Sequence, residues 1–189
     1  IESTYGNRDH DDENILDKLE AILNDAWQTG SAVLVPSFAI GRTQELLYYF
    51  KKLQNAGRMH RIPIFIDSPM AISATQLYAQ AKEEHDQDML VSVEEGNSEM
   101  EPEGVSFLRD REQSKSVNFR QGPMVIISGS GMANGGRIVH HLLRRLSQEE
   151  TIVLFTGYQA EGTLGRRLLE GEPEVSIMGQ EVQVRARIE

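Results

Sequence analysis

The chain has 189 residues, 39% of them apolar, and a formal net charge of −10. That length holds one domain with its own core, and no apolar run reaches the length of a membrane-spanning helix. The acidic balance argues against strong free-standing binding to DNA or RNA, which calls for a basic face; a local basic cleft stays compatible with it, because a field depends on where charges sit.

The absence of Cys excludes disulfides and thiolate metal sites. It fits a reducing, cytoplasmic setting. The chain opens on Ile rather than Met and carries no signal peptide, so it reads as a piece of a longer protein.

Ile1 to Gly6 reads as the end of a strand, and Asn7 to His10 as a polar loop. From Asp11 the pattern is helical. Ile15, Leu16, Leu19, Ile22, Leu23 and Ala26 share one face, and Thr29-Gly30 closes it. Ala32 to Val35 reads as a buried strand ended by Pro36. Ser37 to Arg42 is a loop opening a helix whose apolar face is Leu46, Leu47, Phe50 and Leu53. Ile62 to Ile66 is the next strand. Asp67-Ser68-Pro69-Met70 leads into a helix over Ala71 to Lys82, with Pro where a missing N–H does no harm. His85 to Gly104 is acidic and poor in large apolar residues, which predicts a mobile surface excursion. Val105 to Leu108 reads as a short strand and Arg111 to Asn118 as a short helix.

The stretch Ser128-Gly129-Ser130-Gly131-Met132-Ala133-Asn134-Gly135-Gly136-Arg137 follows the apolar run Met124 to Ile127. Ile138, Val139, Leu142, Leu143 and Leu146 come next at helical spacing. The pattern is strand, glycine-rich turn, helix. Such a turn lets the backbone approach an anion, and the helix start offers N–H groups and partial positive charge. The same glycines also serve a tight connection that binds nothing. Thr151 to Phe155 is a further strand, Gly157 to Thr163 a fourth glycine-bearing loop, and Leu164 to Leu169 a helix. Val175 to Met178 and Val182 to Ile188, separated by Gly179-Gln180, predict a closing hairpin.

Strand and helix alternate about five times. That predicts a single α/β domain over residues 1–189, with a largely parallel sheet and helices on both faces. Ligands of such sheets sit beyond the carboxyl ends of the strands. All four loops are expected on that edge.

Five stretches occur together and in order: Glu2 to Gly6, Pro36 to Glu45, Asp67 to Ala71, Ser128 to Arg137 and Gly157 to Arg166. As a set they resemble the β-CASP family, the nucleic-acid-processing branch of the metallo-β-lactamase-fold hydrolases. The resemblance implies a Rossmann-like cap domain beside a metallo-β-lactamase catalytic domain of the same chain, with the active site between them. It implies two zinc ions held by a His-x-His-x-Asp-His motif and further ligands. The five His here are His10, His60, His85, His140 and His141, and no two fall at that spacing. Neither the Ser-Ala-His-type nor the His-Gly segment of the family is present. The resemblance therefore implies the RNA-binding side of a zinc-dependent ribonuclease, cleaving RNA phosphodiesters endonucleolytically, 5′-exonucleolytically or both. The piece alone is expected to be inactive and to hold no metal. Caps of this kind can join homodimers, and nothing points to a membrane.

Glu2 matches the acidic residue of the first family motif, so the resemblance gives it a catalytic part through a His of the Ser-Ala-His-type segment. On its own it reads as a solvated surface charge. Arg42, Ser130, Arg137 and Arg166 are the candidates for RNA backbone contacts, and His10 lies close enough to Glu2 to join them. Their other readings are helix-face ion pairs for the arginines and a turn hydroxyl for Ser130. Ser37 and Ser68 read as helix caps. Tyr5 and Phe38 are read as base-stacking or core residues. His140 and His141 are read as structural, with at most one facing the core. The alternative function is a free-standing nucleic-acid or protein interaction domain without catalysis. A doubly wound nucleotide binder is the third reading, but its Gly-x-Gly-x-x-Gly fingerprint is missing from the first turn.

Overall fold

The computed structural model describes residues 14–80 and 101–189. Helix α1 (Ile15–Thr29) is capped by Asn14, whose side chain accepts from Leu16 N at 3.0 Å, and stops at Gly30 in the left-handed region, φ 72°. It leads to β1 (Ala32–Pro36), α2 (Arg42–Asn55), β2 (Ile64–Ile66) and α3 (Pro69–Gln80). Then come β3 (Val105–Phe107), α4 (Arg111–Val117), β4 (Met124–Ser128), α5 (Ile138–Arg145), β5 (Thr151–Val153) and α6 (Leu164–Leu169). The chain closes with β6 (Glu174–Ile177), β7 (Gln180–Gln183) and β8 (Arg187–Ile188).

Six strands form one sheet in the order β3-β2-β4-β1-β5-β8, and every pairing in it is parallel. The register pairs Ala32 with Met124 and Thr151, and Ile64 with Val125 and Val105. A parallel sheet must be covered on both faces, and its strands are apolar throughout. Here β1 and β4 are buried at every position. Alternate side chains enter opposite layers. Val33, Val35, Val125 and Ile127 pack with Leu23 of α1, Leu47 and Phe50 of α2 and Ile72 of α3. Leu34, Met124 and Ile126 pack with Val117 of α4, Leu142 of α5, Leu168 of α6 and the hairpin residues Val175 and Val182. Helices on both faces are therefore present, as the alternating pattern predicted.

The C-terminal hairpin is shorter than expected. β6 and β7 pair antiparallel through Met178-Gly179, both with positive φ (53° and 78°). The chain then leaves the hairpin. Arg185 N and Ala186 N both donate to Leu146 O, at 2.9 and 3.0 Å. That turns Arg187 and Ile188 onto the edge of the main sheet as β8, parallel to β5. Val182 to Ile188 is thus not one strand.

The acidic excursion expected over His85 to Gly104 lies outside the described residues up to residue 100. Its last part is anchored: Gln54 donates to Glu103 O at 3.0 Å and accepts from Glu103 N at 2.8 Å, and Pro102 is buried.

Candidate nucleic-acid interface

Because all six strands point the same way, the loops after β1, β2, β4 and β5 share one edge. They also hold one another. Ser37 N donates to Ser128 O at 2.9 Å, and Asp67 N donates to Ile127 O at 2.8 Å. Gln159 Nε2 donates to Gly131 O at 3.0 Å. Asn134 Oδ1 accepts from Leu164 N at 2.8 Å, so the third loop caps the start of α6.

The glycines permit this closeness. A Cβ on Gly131 would stand 2.6 Å from the Phe38 ring, and one on Gly165 would stand 1.8 Å from Gln159 Oε1. Gly136 has φ 72°, and a Cβ there would fall 2.2 Å from Gly129 O. The long loop folds back on itself through Ser130 N to Gly135 O, Ala133 N to Ser130 O and Ile138 N to Gly129 O, at 3.0–3.1 Å. Part of its backbone is therefore spent on shape rather than offered to a ligand.

Beneath the loops lies a polar hub that the residue-by-residue sequence reading left out. Asp67, at the carboxyl end of β2, is fully buried. Its Oδ1 accepts from Arg137 Nη1 at 2.7 Å. Its Oδ2 accepts from Ser114 Oγ at 2.6 Å and from His141 Nε2 at 2.7 Å. Ser128 Oγ donates to the Asp67 carbonyl at 2.8 Å. Asn118 Oδ1 lies 2.7 Å from His141 Nδ1. Burial alone would push the Asp67 carboxyl up. The hydrogen bonds from His141, Ser114 and Arg137 outweigh that and hold it below its ordinary value. A signal for the hub was present: Arg137 and His141 are four residues apart, which places both on one helix face.

Arg137 gives three donors to protein: the Asp67 bond, Leu108 O and Arg109 O, the latter two both at 2.9 Å. Its side chain is 20% exposed, so its fork is fixed while one side stays open. Arg42 pairs with Glu45 at 2.6 Å and Arg166 with Glu170 at 2.6 Å, both half-exposed. Ser130 Oγ is buried and has no hydrogen-bond partner among the described residues. Ser68 caps α3 by accepting from Ala71 N at 3.2 Å. Ser37 does not cap α2; its hydroxyl meets Thr43 Oγ1 at 3.1 Å, and Gly41 takes the cap position. Of the two adjacent histidines, His141 is buried and His140 exposed. Phe38 is exposed at the margin, against Gly131. Glu2, Tyr5 and His10 lie outside the described residues. Among the described residues no group of three or more His, Asp or Glu is placed to hold a metal ion. None of their helices is long and apolar enough to cross a membrane.

Comparison with known proteins gives the chain its relatives. The chain is 38% identical over 189 residues to Ribonuclease TTHA0252 of Thermus thermophilus, covering 99% of this chain and 43% of that protein. It is 30% identical over 195 residues to an RNase J-like protein of Methanocaldococcus jannaschii, covering 100% and 43%. It is 31% identical over 182 residues to the Transcription termination factor FttA of the same organism, covering 94% and 28%. The chain thus spans less than half the length of these curated relatives. Residues 43–168, which carry the Asp67 hub and the loops after β2, β4 and β5, match the model of the Beta-Casp domain, and the chain belongs to that family.

Proposed function

We propose that this chain is the RNA-gripping cap of a zinc-dependent ribonuclease. The observation that carries the reading is the gathering of four motif loops along one sheet edge, in a chain whose relatives include a protein named as a ribonuclease. In this reading the strand-end margin forms one wall of a cleft, and a metallo-β-lactamase-type domain of the same protein forms the other. In this reading zinc belongs to that second wall, where the family resemblance puts its ligands.

Each part of the margin has a task. Arg137 presents a guanidinium pre-set by Asp67, suited to a phosphate oxygen. Arg42 and Arg166 add positive charge on the flanking helices, each able to exchange a surface Glu partner for RNA at little cost, because exposed pairs contribute little. Ser130 supplies a hydroxyl without a partner among the described residues. Glu2 orients an imidazole that acts on the leaving oxygen, and His10, eight residues on in the chain, is a further substrate-binding candidate. A homodimer is compatible with this arrangement, and the setting is cytoplasmic.

The test uses the full-length protein with zinc and a labelled single-stranded RNA. Cleavage that is lost on chelation and restored by zinc is the expected result. RNA binding with no hydrolysis under any divalent metal would instead favour an interaction domain, and the ribonuclease reading would be withdrawn.

A further inference from the structure

The chain's charge is unevenly distributed. A groove of about 1390 Å³ runs between α4, α5 and the β6–β7 hairpin, away from the loop margin. Arg111 and Lys115 stand on its α4 bank, Arg144 on α5, and Arg185 just beyond β7; all four are exposed. Arg137 lies where α5 begins, at the end shared with the margin. Among the described residues, Glu181 is the one acid lining it. Four exposed cations, with Arg137 whose charge buried Asp67 offsets, face one lining carboxylate, a local reversal in a chain of formal net charge −10.

We propose that this groove is a second track for single-stranded RNA, holding the strand after it leaves the loop margin. The proposal rests on the ribonuclease-cap reading. Three features select this occupant. The cations suit a phosphate backbone, and a groove lined by one sign of charge raises the local concentration of the opposite ion. Phe119, at the end of α4, is 72% exposed, and the Arg144 guanidinium sits 5.4 Å from its ring centroid. A guanidinium-backed aromatic beside a basic wall is a platform for an unpaired base. An acidic peptide would use the cations but has no planar group for the ring. Finally, Arg137, His140, Arg144 and Ser147 recur along one helix face. From Arg137 to Arg144 the helix rises about 10 Å, enough for more than one phosphate. The track is therefore continuous with the margin.

The test measures affinity of the full-length protein for a fluorescent, uridine-rich single-stranded RNA with a non-hydrolysable backbone, across a salt series. The strand is long enough to run from the margin through the groove. Lys115→Ala/Arg144→Ala should lower the magnitude of the salt slope by about 1.4, two single-strand phosphate contacts. Phe119→Ala should weaken binding by roughly tenfold, the scale of one lost base stack, and Phe119→Trp should restore it. All three sites are exposed, and a thermal melt matching wild type excludes misfolding; Arg111→Ala/Arg185→Ala is the second pair. Wild-type protein that binds and cleaves RNA, with variants indistinguishable from it, overturns the track alone. Wild-type protein that neither binds nor cleaves RNA overturns the ribonuclease reading as well. A Phe119→Ala loss equal on duplex and single-stranded RNA overturns the base-stacking assignment.

Discussion

Asp67→Asn is the most informative single change in this domain. The substitution keeps the shape and removes the charge. Asp67 accepts three side-chain hydrogen bonds through two oxygens and is itself fully buried. An Asn retains one oxygen and turns an NH₂ toward either Arg137 or the Ser114 and His141 pair. One set of donors then faces a donor. Removing one partner from a buried ion pair costs about 3–5 kcal/mol. For a domain of this size that lowers Tm by roughly 6–20 °C. Thermal unfolding followed by circular dichroism reads it directly. The pH dependence provides a second readout. The folded carboxyl titrates below its ordinary value, so its stabilisation is complete above about pH 4, the unfolded value. It drains away as pH falls through the folded value. Asp67→Asn should therefore flatten the acid limb of the Tm profile as well as lower the plateau. A Tm within about 2 °C of wild type, with an unchanged acid limb, would falsify the hub as a stabilising element.

Gly136→Ala meets both a left-handed backbone and the Gly129 carbonyl at 2.2 Å, so a loss of at least about 1–3 kcal/mol is expected in urea unfolding. Gly162→Ala, with φ 76° and open space around it, should cost only about 1–2 kcal/mol; equal losses at the two sites would remove the close-approach explanation. Arg137→Ala in the full-length protein should weaken RNA binding and reduce the magnitude of the salt slope by about 0.7, and an unaltered slope would count against phosphate contact. Glu2→Gln should lower kcat more than RNA affinity, measured by single-turnover cleavage beside equilibrium binding; equal losses would make Glu2 structural.

Local pattern carried most of the architecture. Val33, Val35, Val125 and Ile127 alternate with Leu34, Met124 and Ile126 between two layers, and such runs bounded by Gly and Pro are visible without coordinates. The order of the loops along the chain implied their shared edge, because parallel strands leave no other arrangement. Two features were hidden. β8 pairs through Ile152 with Arg187 and Val153 with Ile188, and a two-residue strand has no period of its own. The turn that frees it depends on Leu146 O, remote in sequence. The hub was hidden in its larger part: the spacing of Arg137 and His141 marks one helix face, but their meeting with Asp67 and Ser114 rests on contacts remote in sequence. Ser37 looked like a cap because it precedes a helix, but Thr43 claims its hydroxyl.

Ser114 belongs to α4, while Arg137 and His141 lie at the start of α5 and within it. All three are tethered to a single carboxylate beneath the floor between them. The gap separating those two helices is consequently riveted at one end by that carboxylate, as the jaws of pliers are, and held again farther along where Arg145 donates to Val117 O at 2.9 Å. Anything that weakens the rivet, whether mutation or strong acid, should let the jaws drift and alter the fit of whatever lies between them before the sheet itself gives way.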